Sequence, residues 1–381
     1  MVKFVCIILF FFYSVIIVSC KPLNEISSET IRNLNPTEEP LQESIDYDKV
    51  KIIKLETSLS CLIGNINRIE MNDSLIFVSE HDKLYTFTLN GKFVAKIGNK
   101  GEGPDEYMVL SSFYIDDEKQ QVTIIDEFKN ALINYDFTGK YVSTVSVPKK
   151  TFEGCNYALL TMDNKLLANK MMGGRNKEVY FLFDLKKKEI SGRFFSYNPI
   201  TIGNYMCTFS WHPMSRVDKD IDIIMPLCDT IYPYSAESSV FQPRYIVETP
   251  QKMASKDQIR KHTPSYNEDL YKLAERGFFT GFTSIFETDT KVLLETQGVV
   301  WSYFLFDKLS KTGHYYLGSW GKEDTILPFY TTIYAYKNAF VGYVSAETLL
   351  SLTNIQDDNI RESIKDLKED DNPCLVLYEL K

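Results

Sequence analysis

Histidine is scarce in this 381-residue chain: His81, His212, His262 and His314 are all there are. They share no HExxH or HxH spacing, so a histidine-bound zinc hydrolase lacks its ligand pattern. The seven cysteines include no CxxC pair, which excludes a zinc knuckle and a thioredoxin-like motif. A Gly-x-Ser-x-Gly elbow is also missing. Basic charge is short: 42 Lys and Arg against 51 Asp and Glu give a net charge of -9. That argues against a general nucleic-acid binder, which needs a basic footprint. An apolar run of bilayer length is lacking too. The run at residues 4–18 falls short of the roughly 20 residues a spanning helix requires. What is present is ordinary for a globular protein, with 44% hydrophobic and 24% charged residues. Aromatics are plentiful at 14%, and they favour the pleated, half-buried surfaces of strands.

The amino terminus reads as an export signal. One basic residue, Lys3, precedes the apolar run, which suits the h-region of a secretory signal. The run ends Ile17-Val18-Ser19-Cys20, and this resembles a bacterial lipoprotein signal. The resemblance implies cleavage before Cys20, lipidation of Cys20, and membrane attachment through the acyl chains. Lys21 stands where Asp would favour inner-membrane retention, so the expectation is an outer-membrane lipoprotein of the cell envelope. Residues 1–19 are then the signal peptide. Residues 20–49, with Pro22, Pro36 and Pro40, are expected to form a flexible tether. Residues 50–381 form the folded body. The mature chain keeps Cys61, Cys155, Cys207, Cys228 and Cys374, read as small buried hydrophobes on a route that would permit a disulfide.

The body is nearly all short strands. Residues 83–89 alternate polar and apolar, Asn90-Gly91 marks a hairpin, and residues 92–98 alternate again. Aligning Leu89-Asn90-Gly91-Lys92-Phe93-Val94 with Phe137-Thr138-Gly139-Lys140-Tyr141-Val142 gives an internal repeat of 48 residues. Repeats of that length built from four strands mark β-propeller blades. Later copies are more degenerate. Residues 165–195 supply three strands of a third unit, 221–247 of a fourth and 291–318 of a fifth; 329–344 begin a sixth. Two stretches break the pattern with helical spacing, 254–276 and 347–368. The strand at 50–55 has no preceding partner, and the strand at 373–380 has no following one. A ring resolves both. The expected fold is therefore all-β: a six-bladed propeller closed by the N-terminal strand, with two helical insertions. A stack of β-sandwich domains explains the strands but neither the repeat nor the orphan ends.

Residues 65–107 carry a more specific pattern, ending in Gly101-Glu102-Gly103-Pro104-Asp105-Glu106-Tyr107. It resembles the NHL-type repeat. More closely it is similar to the six-bladed, NHL/TolB-like propeller lipoproteins of Bacteroides and relatives. In those, a Gly-x-Gly-Pro-x-Glu-Tyr turn links the first two blades. Cys228-Asp229-Thr230-Ile231-Tyr232 and the ending 369–373 fit as well. The resemblance covers roughly residues 50–381 and implies a fold rather than an activity. Gly101, Gly103, Pro104, Glu106 and Tyr107 are expected to form a tight structural turn between blades, its glycines supplying positive φ.

Chemistry is sparse elsewhere. The segment 204–213 is rich in large side chains and offers Tyr205, Trp211 and His212 as ligand-binding candidates, with Arg216 beyond it and Trp320 in a second cluster. Exposed aromatic rings suit sugars or peptides. The expected role is a non-catalytic binding module for a glycan, peptide or outer-membrane protein partner, with no cofactor and no nucleic acid. The alternative is an axial-metal hydrolase or lyase holding Ca²⁺ through oxygen ligands from several blades.

Overall fold

Strands rich in Val, Ile and Phe need apolar cover on both faces. In the computed structural model the sheets obtain it from one another, each blade packing on the next around a ring. The structure describes residues 29–32, 47–170, 178–196, 211–225, 227–237, 241–249, 251–255, 257–258, 270–297, 301–317, 332–352, 355 and 357–381.

Two strands precede the repeats, β1 (Glu29–Arg32) and β2 (Tyr47–Lys54). Blade 1 comprises β3 (Arg68–Met71), β4 (Leu75–Glu80), β5 (Lys83–Thr88) and β6 (Phe93–Lys96). Blade 2 comprises β7 (Ser112–Asp116), β8 (Gln121–Asp126), β9 (Ala131–Asp136) and β10 (Tyr141–Ser146). Blade 3 comprises β11 (Cys155–Leu160), β12 (Lys165–Lys170), β13 (Glu178–Asp184) and β14 (Glu189–Ser196). Blade 4 holds β15 (Met214–Val217), β16 (Asp220–Ile223), β17 (Thr230–Tyr234) and β18 (Tyr245–Glu248). Blade 5 holds β19 (Phe282–Glu287), β20 (Lys291–Gln297), β21 (Trp301–Asp307) and β22 (Thr312–Leu317). Blade 6 is β23 (Thr332–Tyr336), β24 (Ala339–Val344), β25 (Cys374–Leu380) and, outermost, β2.

The ring thus closes as the orphan ends required. β2 runs antiparallel to β25, with Val50 opposite Tyr378 and Ile52 opposite Val376. Asn372 fastens the seam. Its side chain accepts from Ile63 N (2.8 Å) and donates to the carbonyls of Glu56 (2.8 Å) and Cys61 (2.6 Å).

Each junction between consecutive blades encloses one apolar cluster. The largest fully buried side chains are all Tyr or Phe, among them Tyr107, Tyr135, Tyr180, Phe77 and Phe340. Each such ring contributes about 2–3 kcal/mol. The aromatic excess is therefore mainly mortar between blades.

Three features depart from the sequence reading. The innermost strands β11 and β19 did not stand out, because their burial on both faces removes the alternation that reveals a strand, and β15 is only four residues long. Part of the stretch read as tether is strand: β1 adds to the outer edge of blade 4, parallel to β18, and β2 starts at Tyr47. Such edge pairing uses main-chain groups and leaves little trace in side-chain pattern. The second helical stretch is broken where its spacing suggested one run. The first shows α1 (Leu270–Glu275), and the second divides into α2 (Ala346–Ser351) and α3 (Asp358–Ile364). Ser345 caps α2 and Asp357 caps α3, each accepting from backbone N–H groups of the first turn.

Candidate functional site

The six innermost strands bring their side chains to the axis in two layers, fixed by register. The first layer is Arg68, Ser112, Tyr157, His212, Ser284 and Thr332. Two residues further along lie Glu70, Tyr114, Leu159, Met214, Phe286 and Tyr334. Arg68 plugs the bore. Its guanidinium lies 3.7 Å from the Tyr157 ring centre and 4.6 Å from that of Phe113. It donates to Glu70 Oε1 (3.0 and 2.5 Å), Ser112 Oγ (3.1 Å) and the Ala158 carbonyl (3.2 Å). Burial opposes its charge, but Tyr157 and Glu70 outweigh this and raise its pKa.

The plug separates two mouths. At the far ends of the innermost strands, two hollows of about 300 and 290 Å³ share Glu70, Asp117, Arg216, Asp218 and Tyr334. At the opposite mouth, where these strands begin, a hollow of about 240 Å³ reaches Arg68, Asn156, Trp211 and His212. Beside it a larger cavity of about 490 Å³ opens between blades 5 and 6. Trp211, His212, Glu295, Thr332, Ser345 and Thr348 line it.

The larger cavity contains an electrostatic anomaly. Glu295 is 2% exposed, His212 7% and Thr332 1%. Glu295 Oε1, His212 Nδ1 and Thr332 Oγ1 have no hydrogen-bond partner among the described residues. A buried polar atom left without a partner costs about 1–3 kcal/mol. Burial raises the Glu295 carboxyl to about 8, against a pull from the Ser284 hydroxyl. Burial, aided by the Arg68 charge, lowers His212 to about 3. Both groups are therefore uncharged near neutral pH.

Glu70 is engaged by Arg68 and Tyr157. A second buried carboxylate pair lies between blades 4 and 5. Asp222 meets Arg244 (3.0 Å), and Glu287 meets Lys308 (2.6 Å). Burial first, then Glu287, raises the Asp222 carboxyl well above its ordinary range. Among the described residues, no three His, Cys, Asp or Glu side chains are grouped to hold a metal ion.

A family model for a domain of unknown function, DUF4934, matches residues 29–379. The chain belongs to the DUF4934 family. A crystal structure from Bacteroides fragilis NCTC 9343, of a protein named as exported, has a TM-score of 0.73 at 19% identity, covering 92% of this chain and 99% of that one. A DUF4221-family member from Bacteroides vulgatus ATCC 8482 has a TM-score of 0.56 at 11% identity, covering 89% of this chain and 98% of that one. At these identities the likeness is one of fold. No curated protein matches the chain.

In this DUF4934 propeller the binding candidates do not form one site. Trp211 is 58% exposed at the mouth where the innermost strands begin. His212 sits beneath it as a buried wall, its ring 5.0 Å from that of Phe286. Arg216 lies at the other mouth and donates to the Leu160 carbonyl at 2.5 Å. Tyr205, Trp320 and Cys207 fall outside the described residues, as does Cys20. Cys61, Cys155, Cys228 and Cys374 are free thiols.

The Gly101–Tyr107 segment forms a closed turn at the seam of blades 1 and 2. Gly101 N donates to the Tyr107 carbonyl (2.9 Å), and Gly103 N donates to Glu106 Oε2 (2.9 Å). Lys129 Nζ donates to the carbonyls of Gly103 (2.7 Å) and Glu106 (2.6 Å). The Pro104 carbonyl accepts from Thr144 Oγ1 (3.2 Å). Tyr107 is fully buried and donates to the Asp82 carbonyl (2.6 Å). Positive φ is not what its glycines provide. That role falls to the preceding Gly98, at +61°. Gly101 is needed for space, because a Cβ there would lie 2.0 Å from the Glu106 carboxylate.

Glu295 and Thr332 escaped the sequence reading. A usable signal existed for Glu295. At the matching register position of the second strand, other blades carry Ser79, Ile125 and Asn169, and only blade 5 among these places a carboxyl there.

Proposed function

We propose that this chain is an exported, lipid-anchored propeller that acts as a non-catalytic binding module. It presents the Trp211 mouth to its ligand. The observation that carries this reading is that Glu295, His212 and Thr332, each with a buried polar atom that lacks a hydrogen-bond partner among the described residues, line one cavity. A binding site leaves such groups for its ligand to satisfy. The Arg68–Glu70 plug supports binding over axial-metal chemistry, since Glu70 Oε1 already accepts from Arg68. The Ile17-Val18-Ser19-Cys20 sequence supports lipid attachment at Cys20 in the manner of NHL/TolB-like propeller lipoproteins. The exported Bacteroides fragilis neighbour is consistent with an envelope location. Placement at the outer membrane rests on Lys21 after the lipidated cysteine.

The test is an array of envelope glycans and peptides probed with the full chain and with Trp211→Ala. The expected result is a defined set of bound features that the variant loses. No bound feature, or equal binding by the variant, would remove this reading.

A further inference from the structure

We infer that the cavity between blades 5 and 6 is a subsite for a neutral sugar ring, with Trp211 as its stacking platform and Glu295, His212 and Thr332 as its hydroxyl partners. This inference rests on the binding-module reading and names the ligand class for that same mouth.

The lining supports it in three ways. First, among the described residues no Lys, Arg or Asp side chain lines this cavity, so its described walls offer an anionic group no direct cationic partner. Second, the polar groups that converge there are of the kind that both donate and accept. A protonated carboxyl, a neutral imidazole and a threonine hydroxyl each do so, as sugar hydroxyls do in return. The raised pKa of Glu295 and the lowered pKa of His212 supply those neutral states near pH 7. A cationic amine would have to ionise a carboxyl that burial holds protonated. Third, the 58%-exposed indole of Trp211 offers a flat apolar face at the rim. The C–H face of a pyranose packs on such a surface while its hydroxyls point to polar walls.

Shape agrees with chemistry. Ser284 stands opposite Glu295 and Gly342 opposite Thr332, so small residues flank the two groups and leave room beside them. The volume of about 490 Å³ is within the range of about 300–1,000 Å³ common to small-ligand sites. The second helical insertion completes the rim. Ser345, which caps α2, and Thr348 in its first turn both line the opening.

Isothermal titration calorimetry of the full chain with maltose, cellobiose, lactose and N,N′-diacetylchitobiose tests this. The expected result is saturable binding of at least one disaccharide, unchanged between low and high salt. Trp211→Ala should abolish the response, and Thr332→Val should weaken it about tenfold. Glu295→Ala should also weaken it about tenfold, because it removes both a donor and an acceptor. Thermal melts check that each variant is folded. Trilysine serves as the cationic probe. If trilysine binds instead, weakens with salt and is lost in Glu295→Gln, the sugar inference is wrong and the binding reading stands. If no disaccharide binds and trilysine is also silent, the sugar inference is overturned. The array with Trp211→Ala then decides the binding reading separately.

Discussion

Glu295 and His212 sit in the same apolar surroundings, and the same cause moves their pKa values in opposite directions. Burial disfavours charge, so it raises an acid and lowers a base. The consequences for stability follow from linkage. Glu295 holds its proton more tightly folded than unfolded, with a folded pKa of about 8 against an ordinary 4.5. Its contribution is therefore complete below about pH 4.5 and is lost as pH rises toward 8, at up to about 1.4 kcal/mol per pH unit. His212 acts in reverse. Its contribution is present above its ordinary 6.5 and is lost as pH falls toward 3. Between pH 5 and 6.5 the two trends oppose each other, so the test lies above that range: urea unfolding at pH 6.5, 7.25 and 8 should show wild type losing stability across the series and Glu295→Gln losing markedly less. Equal slopes in the two proteins would mean that Glu295 is not held protonated. Little of this was readable from sequence. His212 stood out because it neighbours Trp211, but its burial did not. Glu295 is brought to the cavity by strand register, and Thr332 belongs to a different blade. Neither relation has a signature in local composition.

At the scale of elements, the 48-residue repeat was legible because a steric demand repeats with it. Gly91 follows β5 at φ +80°, and a Cβ there would lie 1.9 Å from the Lys54 carbonyl, at the end of β2. Gly139 follows β9 at φ +83°, and its Cβ would lie 2.4 Å from the Lys96 carbonyl, at the end of β6. In both cases the hairpin of one blade presses on the outermost strand of the blade before it. One of these contacts crosses the ring seam, which is why the first copy resembles the second. Gly91→Ala and Gly139→Ala should each cost about 2 kcal/mol or more, from strained φ and a backbone clash together. Gly277, at φ +78° with nothing within 4 Å of a Cβ, is the control. Gly277→Ala should cost about 1 kcal/mol, from φ alone. Thermal melts of the three variants would decide it, and equal losses would show that the interblade contact carries no weight. The innermost strands were harder to read for a related reason. They are mostly buried, and β19 shows no exposed residue at all.

The whole molecule is a ring whose ends fasten each other through β2, β25 and Asn372, and that closure was legible from the two orphan strands alone. The address proposed for it rests on a resemblance alone. Replacing the lipid acceptor tests it directly: Cys20→Ala should shift the protein from the membrane fraction to the soluble fraction and leave the signal uncleaved at that site. Unchanged membrane association and processing would refute lipidation. What the sequence concealed was β1, and it matters most if the anchor is real. Nine peptide steps separate Cys20 from Glu29. Fully stretched, they reach no more than about 30 Å. A long leash would let the propeller turn freely above its lipid. Because β1 moors the chain to the rim of blade 4, a lipid on Cys20 would hold the rim of that blade close to the bilayer. Approach by a large partner from the blade 4 side would then be sterically restricted, and the molecule would meet its ligand in a narrow range of poses.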